Sequence, residues 1–373
     1  MTIATRTTTS ADQLVTAYRD GAFFLSTPRG AMLVPDFDGD LASAPAAVSA
    51  LADAGRSAVL VGALPFDPAT PARLGVSRAV SRTQPWRGAV ARPGGGPRWT
   101  GRVDHAEVYR SAVRQAIARL AGPLDKVVLA RVLDLATDQP VECGAVLRAL
   151  AAGDPRSHVF ATGTGNGTLL GASPELLVSR VDGRVLANPL AGSARRDPDP
   201  SRDAENRAAL SASAKDRREH AFVVEAVADG LAPLCSALDV PREPELLATR
   251  TMWHLSTRVT GVARDGVSAL DLALALHPTP AVCGSPTHLA RRVIGELEPF
   301  DRGYYTGLVG WTDAEGDGEW VVAIRCAEVA DRSVRLFAGA GIVHGSTPEG
   351  EVAETDAKFR TVLHALGIDD LAT

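Results

Sequence analysis

One stretch, Lys126-Val-Val-Leu-Ala-Arg-Val-Leu-Asp-Leu-Ala136, limits what this chain can become more than any other. Its apolar side chains fall at both odd and even positions. In a strand that puts hydrophobic surface on both faces, which is stable only where layers cover the sheet on either side. A layered core with an interior strand is therefore required, and Lys126 opens that strand.

Further strand patterns fall at residues 31–34, 58–63, 158–162, 168–171, 304–311, 320–326 and 334–338. Helical patterns fall at 11–18, 105–120, about 203–234, and from near Pro348 to Leu366. The last helix carries Val352, Thr355, Phe359, Val362, Leu363 and Leu366 at helical spacing, and Ser346 with Glu349 three residues on forms a capping box at its start. Gly163-Thr-Gly-Asn-Gly167 does not open a helix. It lies between two apolar runs with Asn166-Gly167 as the turn signal, so it reads as a hairpin and not a nucleotide loop. Long strands with peripheral helices indicate an α+β architecture. No linker divides the chain, so residues 11–373 are read as a single domain preceded by a disordered 1–10; Pro/Gly punctuation marks 92–97.

Composition narrows the partners. With 45% hydrophobic residues, 22% charged residues and a formal net charge of -5, there is no concentrated basic face for nucleic acid, and a small-molecule partner is favoured. No apolar run is long enough for a membrane span, and the Thr-rich start lacks a signal-peptide core, so the cytoplasm is the expected location. Cys143, Cys235, Cys283 and Cys326 have no metal or redox spacing and are expected to be reduced, buried thiols. Of 39 basic residues only Lys126, Lys215 and Lys358 are lysine. A lysine kept against that bias is a candidate for chemistry that arginine cannot supply, since only lysine readily sheds its proton when desolvated.

Several residues could carry chemistry. Glu219 lies three, four and seven positions before Phe222, Val223 and Ala226, on the apolar face of its helix, where a carboxylate needs a partner or a metal; an intrahelical pair with Lys215 is the plainer alternative. Glu351 and Glu354, at i and i+3 of the last helix, could serve a hard cation, or simply complement the helix dipole, with Glu354 paired to Lys358. Lys126 is either a base or a strand-end lysine reaching water, and Glu175 either a loop carboxylate or a buried general acid. His254 and Arg325 are polar residues inside apolar stretches, equally readable as satisfied core residues.

The ordered series Gly62-Ala-Leu-Pro-Phe-Asp67, Lys126 to Arg131, Gly171-Ala-Ser-Pro-Glu-Leu-Leu177, Pro189-Leu-Ala-Gly-Ser-Ala-Arg-Arg196, Lys215-Asp-Arg-Arg-Glu-His220, Met252-Trp-His-Leu-Ser-Thr257, Leu276-His-Pro-Thr-Pro-Ala281, Leu297-Glu-Pro-Phe-Asp301, Phe337-Ala-Gly-Ala-Gly-Ile342 and Glu351-Val-Ala-Glu-Thr355 resembles the chorismate-utilising enzymes, and within them the isochorismate synthases. The resemblance spans roughly residues 58–366. It implies a two-sheet layered core surrounded by helices, with the site in a cleft beside them. Glu219, Glu351 and Glu354 match the Mg²⁺ shell that receives the ring carboxylate of chorismate, direct or through water. Gly192, Ser193 and Lys358 match further contacts to that carboxylate, and Tyr305, Arg325, Gly339 and Gly341 match positions that hold the enolpyruvyl carboxylate. Lys126 resembles the base that activates water for ring carbon 2, a role that needs its neutral amine. Glu175 resembles the acid at carbon 4, and His254 a cleft residue near the ring.

Relatives that add ammonia usually carry glutamine where this chain has Lys126, so the resemblance favours water as nucleophile. A salicylate synthase, an ammonia-using synthase of the anthranilate or aminodeoxychorismate type, and a silent binding protein on the same fold are the alternatives. The expected product feeds catechol siderophores through 2,3-dihydroxybenzoate rather than menaquinone, with an isochorismatase as pathway partner and the chain a monomer.

Overall fold

In the computed structural model the stretch opened by Lys126 forms the strand Lys126–Thr137, the spine of a ten-stranded antiparallel sheet; residues 10–37, 39–86 and 97–368 are described. Its alternation sets the layers. Ala130 and Val132 point to one face and pack with Phe23, Leu25, Phe160 and Phe337 of the same sheet and with Val61, Val309 and Val321 of a second, eight-stranded sheet. Leu133 and Leu135 point the other way, into a layer formed with the helices Ala11–Ala17, Cys143–Gly153 and Pro348–Ala365. The outer face of the eight-stranded sheet is covered in turn by the helices Ala44–Ala54, Ala214–Leu231 and Ala269–Leu276. The interior, layered position is as expected from a strand that is apolar on both faces, and the α+β, two-sheet core is as the resemblance implied.

A third sheet was not anticipated. Leu190–Arg195, Met252–Ser256 and Glu245–Ala248 form three short strands in that order. The apolar patterning there is too brief to distinguish a separate sheet from extra strands of a larger one.

Four further expectations need correction. The helix expected over about 203–234 is two helices, Pro200–Ala212 and Ala214–Leu231, because Ser213 leaves helical geometry (φ -67, ψ 110) and its side chain accepts from Asp216 N, which caps a new start. The last helix is capped by Thr347, whose side chain accepts from Gly350 N, while Ser346 Oγ turns back to accept from Val343 N. The strand expected over 320–326 ends at Val322 and resumes at Cys326, and the pattern at 304–311 becomes a strand only from Leu308. Residues 1–9 of the expected disordered start lie outside the described residues, and Ser10 caps the first helix; 92–96 of the punctuation likewise lie outside. All four cysteines are free and buried. Among the described residues no helix is long and apolar enough to cross a membrane.

Candidate active site

A cleft of about 780 Å³, open mouth included, lies where the spine strand, its neighbour Ser333–Ile342, the small sheet and the helices Ala214–Leu231 and Pro348–Ala365 meet. Its wall includes Glu175, Gly192, Ser193, Glu219, His254, Tyr305, Arg325, Gly339, Gly341, Glu354 and Lys358, eleven of the thirteen residues singled out from sequence. Lys126 and Glu351 stand behind it.

Lys126 is almost fully buried, and its Nζ lies 2.8 Å from Glu219 Oε1. The intrahelical alternative for Glu219 is therefore not what the fold uses; its partner comes from the spine strand. Burial alone would raise the Glu219 carboxyl, yet the charges of Lys126, then Lys358 and Lys215, hold it below its ordinary value. Gly341, paired with Val128 across the ladder, makes this contact possible. A Cβ there would stand 2.7 Å from Glu219 Oε1 and 2.8 Å from Lys126 Cε.

Glu175 follows Ser173-Pro174, and its backbone N–H donates to Ser173 Oγ. Burial pushes its carboxyl up from 4.5 to about 7, against a backbone hydrogen bond from Leu190 and the charges of Arg325, Lys126 and Lys358. A carboxyl titrating there can hold a proton at neutral pH and give it up, as a general acid must.

On the small sheet a register irregularity between Ala191 and Ser193 accompanies Gly192 at φ +74 and brings Ser193 opposite His254. Ser193 Oγ lies 2.7 Å from His254 Nδ1. Burial, then Arg325 and Lys358, push His254 well below its ordinary value, so the ring is neutral, and its buried Nε2 has no partner among the described residues.

Arg325 occupies the break between strands with φ 51, and Thr306 on the facing turn has φ 59. Positive φ is unfavourable for both, above all for β-branched Thr306, and such strain persists where surrounding contacts hold it. Here Thr306 N donates to Ala323 O, and Ala323 N donates to Gly307 O, tying the two turns together at the wall. The Arg325 guanidinium has no hydrogen bond or ion pair with any described residue, although burial lowers its pKa. A buried, unpartnered cation on a cleft wall calls for an anion.

The three glutamates present a mixed picture for a metal. Among the described residues no three His, Cys, Asp or Glu side chains come close enough together to hold an ion. Glu219 is taken by Lys126, and Glu354 Oε1 lies 2.6 Å from Lys358 Nζ, the i, i+4 pair foreseen as the plainer alternative. Glu351 is raised to about 7 by burial and then by the neighbouring charge of Glu354. The three offer carboxylate oxygens, the donor type that Mg²⁺ takes, but two are held by lysines and they are not gathered into one cluster.

Sequence reasoning missed Asp216, and marked Lys215 only as a rare lysine without a place in the site; both are on the cleft wall. The signal for Lys215 was present: all three lysines of the chain converge on this cleft, two on its wall and Lys126 behind it. Lys358 also donates to Gly339 O at 2.7 Å, which ties the last helix to the glycine strand.

A family model described as chorismate binding enzyme matches residues 97–367. Isochorismate synthase DhbC of Bacillus subtilis (strain 168) is 46% identical over 395 residues, covering 98% of each chain. Isochorismate synthase EntC of Escherichia coli (strain K12) is 44% identical over 326 residues, covering 84% of this chain and 82% of that protein. The crystal structure of DhbC from Bacillus anthracis superposes with a TM-score of 0.90 at 40% identity, covering 96% of this chain and 99% of that one. The cleft, the fold and these relatives agree: the chain belongs to the chorismate-binding enzyme family, as a homologue of its isochorismate synthases.

Proposed function

We propose that the chain converts chorismate to isochorismate by adding water at ring carbon 2 and expelling the hydroxyl at carbon 4. The observation that carries this reading is the pairing of two proton-transfer groups at one cleft: buried Lys126, held by the wall residue Glu219, and buried Glu175, titrating near 7.

In this reading Lys126, as the amine and freed from Glu219, takes a proton from water as its oxygen bonds to carbon 2. The ring double bonds shift, the bond from carbon 4 to oxygen breaks, and Glu175 protonates the departing oxygen, so one water is consumed and one released. Arg325 grips the enolpyruvyl carboxylate through parallel hydrogen bonds, with Tyr305, Gly339 and Gly341 shaping that end. Lys358, Ser193 and Gly192 contact the ring carboxylate, and neutral His254 offers Nε2 toward the ring. Glu219, Glu351 and Glu354 would hold Mg²⁺, which when bound supplies positive charge for that carboxylate.

We assign the product to 2,3-dihydroxybenzoate formation for catechol siderophores, followed by an isochorismatase. Support comes from the Bacillus anthracis DhbC structure, described as 2,3-dihydroxybenzoate-specific. A cytoplasmic monomer completes the proposal. Turnover in ¹⁸O-labelled water tests the chemistry: label must enter isochorismate at carbon 2, and Lys126→Ala, folded, must lose that incorporation. Full retention in the variant would remove Lys126 from the mechanism.

A further inference from the structure

The spine strand Lys126–Thr137 has an incomplete edge where it passes the cleft. On that edge Gly284–Ser285 pairs with Lys126 and Val127, and Trp99–Asp104 pairs from Leu133 to Thr137. Among the described residues no strand pairs with 128–132 there; Val128 N still donates to Cys283 O at 2.8 Å, which leaves Val128 O and Ala130 N to be met otherwise. Buried backbone groups left without partners are costly, so something must take the place of the missing strand.

Two side chains do so. Glu298 Oε1 accepts from Ala130 N at 2.7 Å, and Arg302 Nη2 donates to Val128 O at 2.7 Å. The two are joined by a bidentate ion pair, Nε to Oε2 at 2.8 Å and Nη2 to Oε1 at 2.5 Å, with both side chains 2% exposed. The remaining guanidinium protons go to Val282 O at 2.9 Å and Thr306 Oγ1 at 3.2 Å, so all five donors are used. The guanidinium also lies 4.5 Å from the ring centroid of Phe66 and 5.9 Å from that of Tyr305.

Every cleft residue that Arg302 reaches, Val128, Val282, Thr306 and Tyr305, lines the wall, whereas neither Arg302 nor Glu298 does. We infer that the Glu298–Arg302 pair is a positioning unit that stands in for an absent edge strand and sets the shape of the substrate cleft. Lysine cannot replace the arginine: three rotating protons on one nitrogen cannot span both Glu298 oxygens and three separate acceptors. The inference rests on the chorismate reading only for the choice of substrate.

The test uses Arg302→Lys and Glu298→Gln, the latter keeping an acceptor for Ala130 N while losing the charge. Folded fraction, chorismate KM and kcat, and amide exchange over 126–132 are measured beside the unaltered protein. Arg302→Lys should raise KM about tenfold or more with the folded fraction unchanged, and Glu298→Gln about threefold, with faster exchange confined to 126–132. Unchanged KM in both, with kcat falling only as the folded fraction falls, overturns the inference. Should Arg302→Lys not fold, Glu298→Gln decides it by the same criteria. If the unaltered protein does not turn over chorismate, the functional reading fails, and exchange over 126–132 still decides the positioning role: faster exchange confined there supports it and unchanged exchange overturns it.

Discussion

Replacing Glu175 by glutamine should make the protein more stable at alkaline pH while nearly abolishing turnover. The folded-state carboxyl titrates at about 7 against an ordinary 4.5. A raised folded value means that the protonated form fits the fold, so its stability is complete below 4.5 and is lost as pH rises through 7. Linkage over that shift takes about 2.5 kcal/mol from the native protein between pH 5 and pH 8. Glutamine does not ionise and keeps an oxygen to accept from Leu190. With about 2.1 cal/mol/K of unfolding entropy per residue, 373 residues give roughly 0.8 kcal/mol/K, so the Tm of Glu175→Gln should gain about 3 °C on that of the native protein from pH 5 to pH 8. Loss of the acid should cost about 10²- to 10⁴-fold in kcat. Calorimetric scans at the two pH values and steady-state assays measure both effects. A Tm difference that is the same at pH 5 and pH 8, or a variant with near-native kcat, refutes the reasoning.

The same carboxyl predicts that kcat falls above about pH 7 as Glu175 loses its proton, and a pH profile flat to pH 9 would contradict that. Gly341→Ala places a methyl group 2.7 Å from Glu219 Oε1, forcing the Lys126–Glu219 pair aside; kcat/KM should fall about 100-fold and stability by about 1–3 kcal/mol, checked by kinetics and denaturant unfolding. Arg325→Lys keeps a charge but loses the fork, and should raise the chorismate KM about tenfold with little change in Tm. EDTA should abolish turnover and excess Mg²⁺ restore it, as followed by chromatography of product.

The parts of the fold legible in the sequence were those where one physical signal dominates. The spine strand declares itself because it is apolar on both faces, and the last helix because its buried stripe repeats at helical spacing. What stayed hidden depended on single hydrogen bonds or on contacts distant in sequence. The helix break at Ser213 turns on one side-chain cap, and Ser346, favoured in the sequence by Glu349 three residues on, gives way to Thr347 because its hydroxyl accepts from Val343 N instead. Periodicity could not show that Val322 and Cys326 belong to different strands, because Ala323-Ile-Arg325 continues the apolar pattern while Arg325 takes a left-handed backbone. At the site, helical spacing placed Glu219 on an apolar face but pointed to Lys215, four residues away, whereas its partner Lys126 is 93 positions earlier in the sequence. The scarcity of lysine did mark all three cleft lysines, and the ordered motifs brought together residues that no local rule connects.

A hydroxyl shift on chorismate with water as nucleophile is decided by its products. Purified protein incubated with chorismate and Mg²⁺, with products identified by chromatography and mass, tests it directly. Isochorismate as the sole product is the predicted result; salicylate with pyruvate, or product formed only when ammonia is supplied, would contradict it.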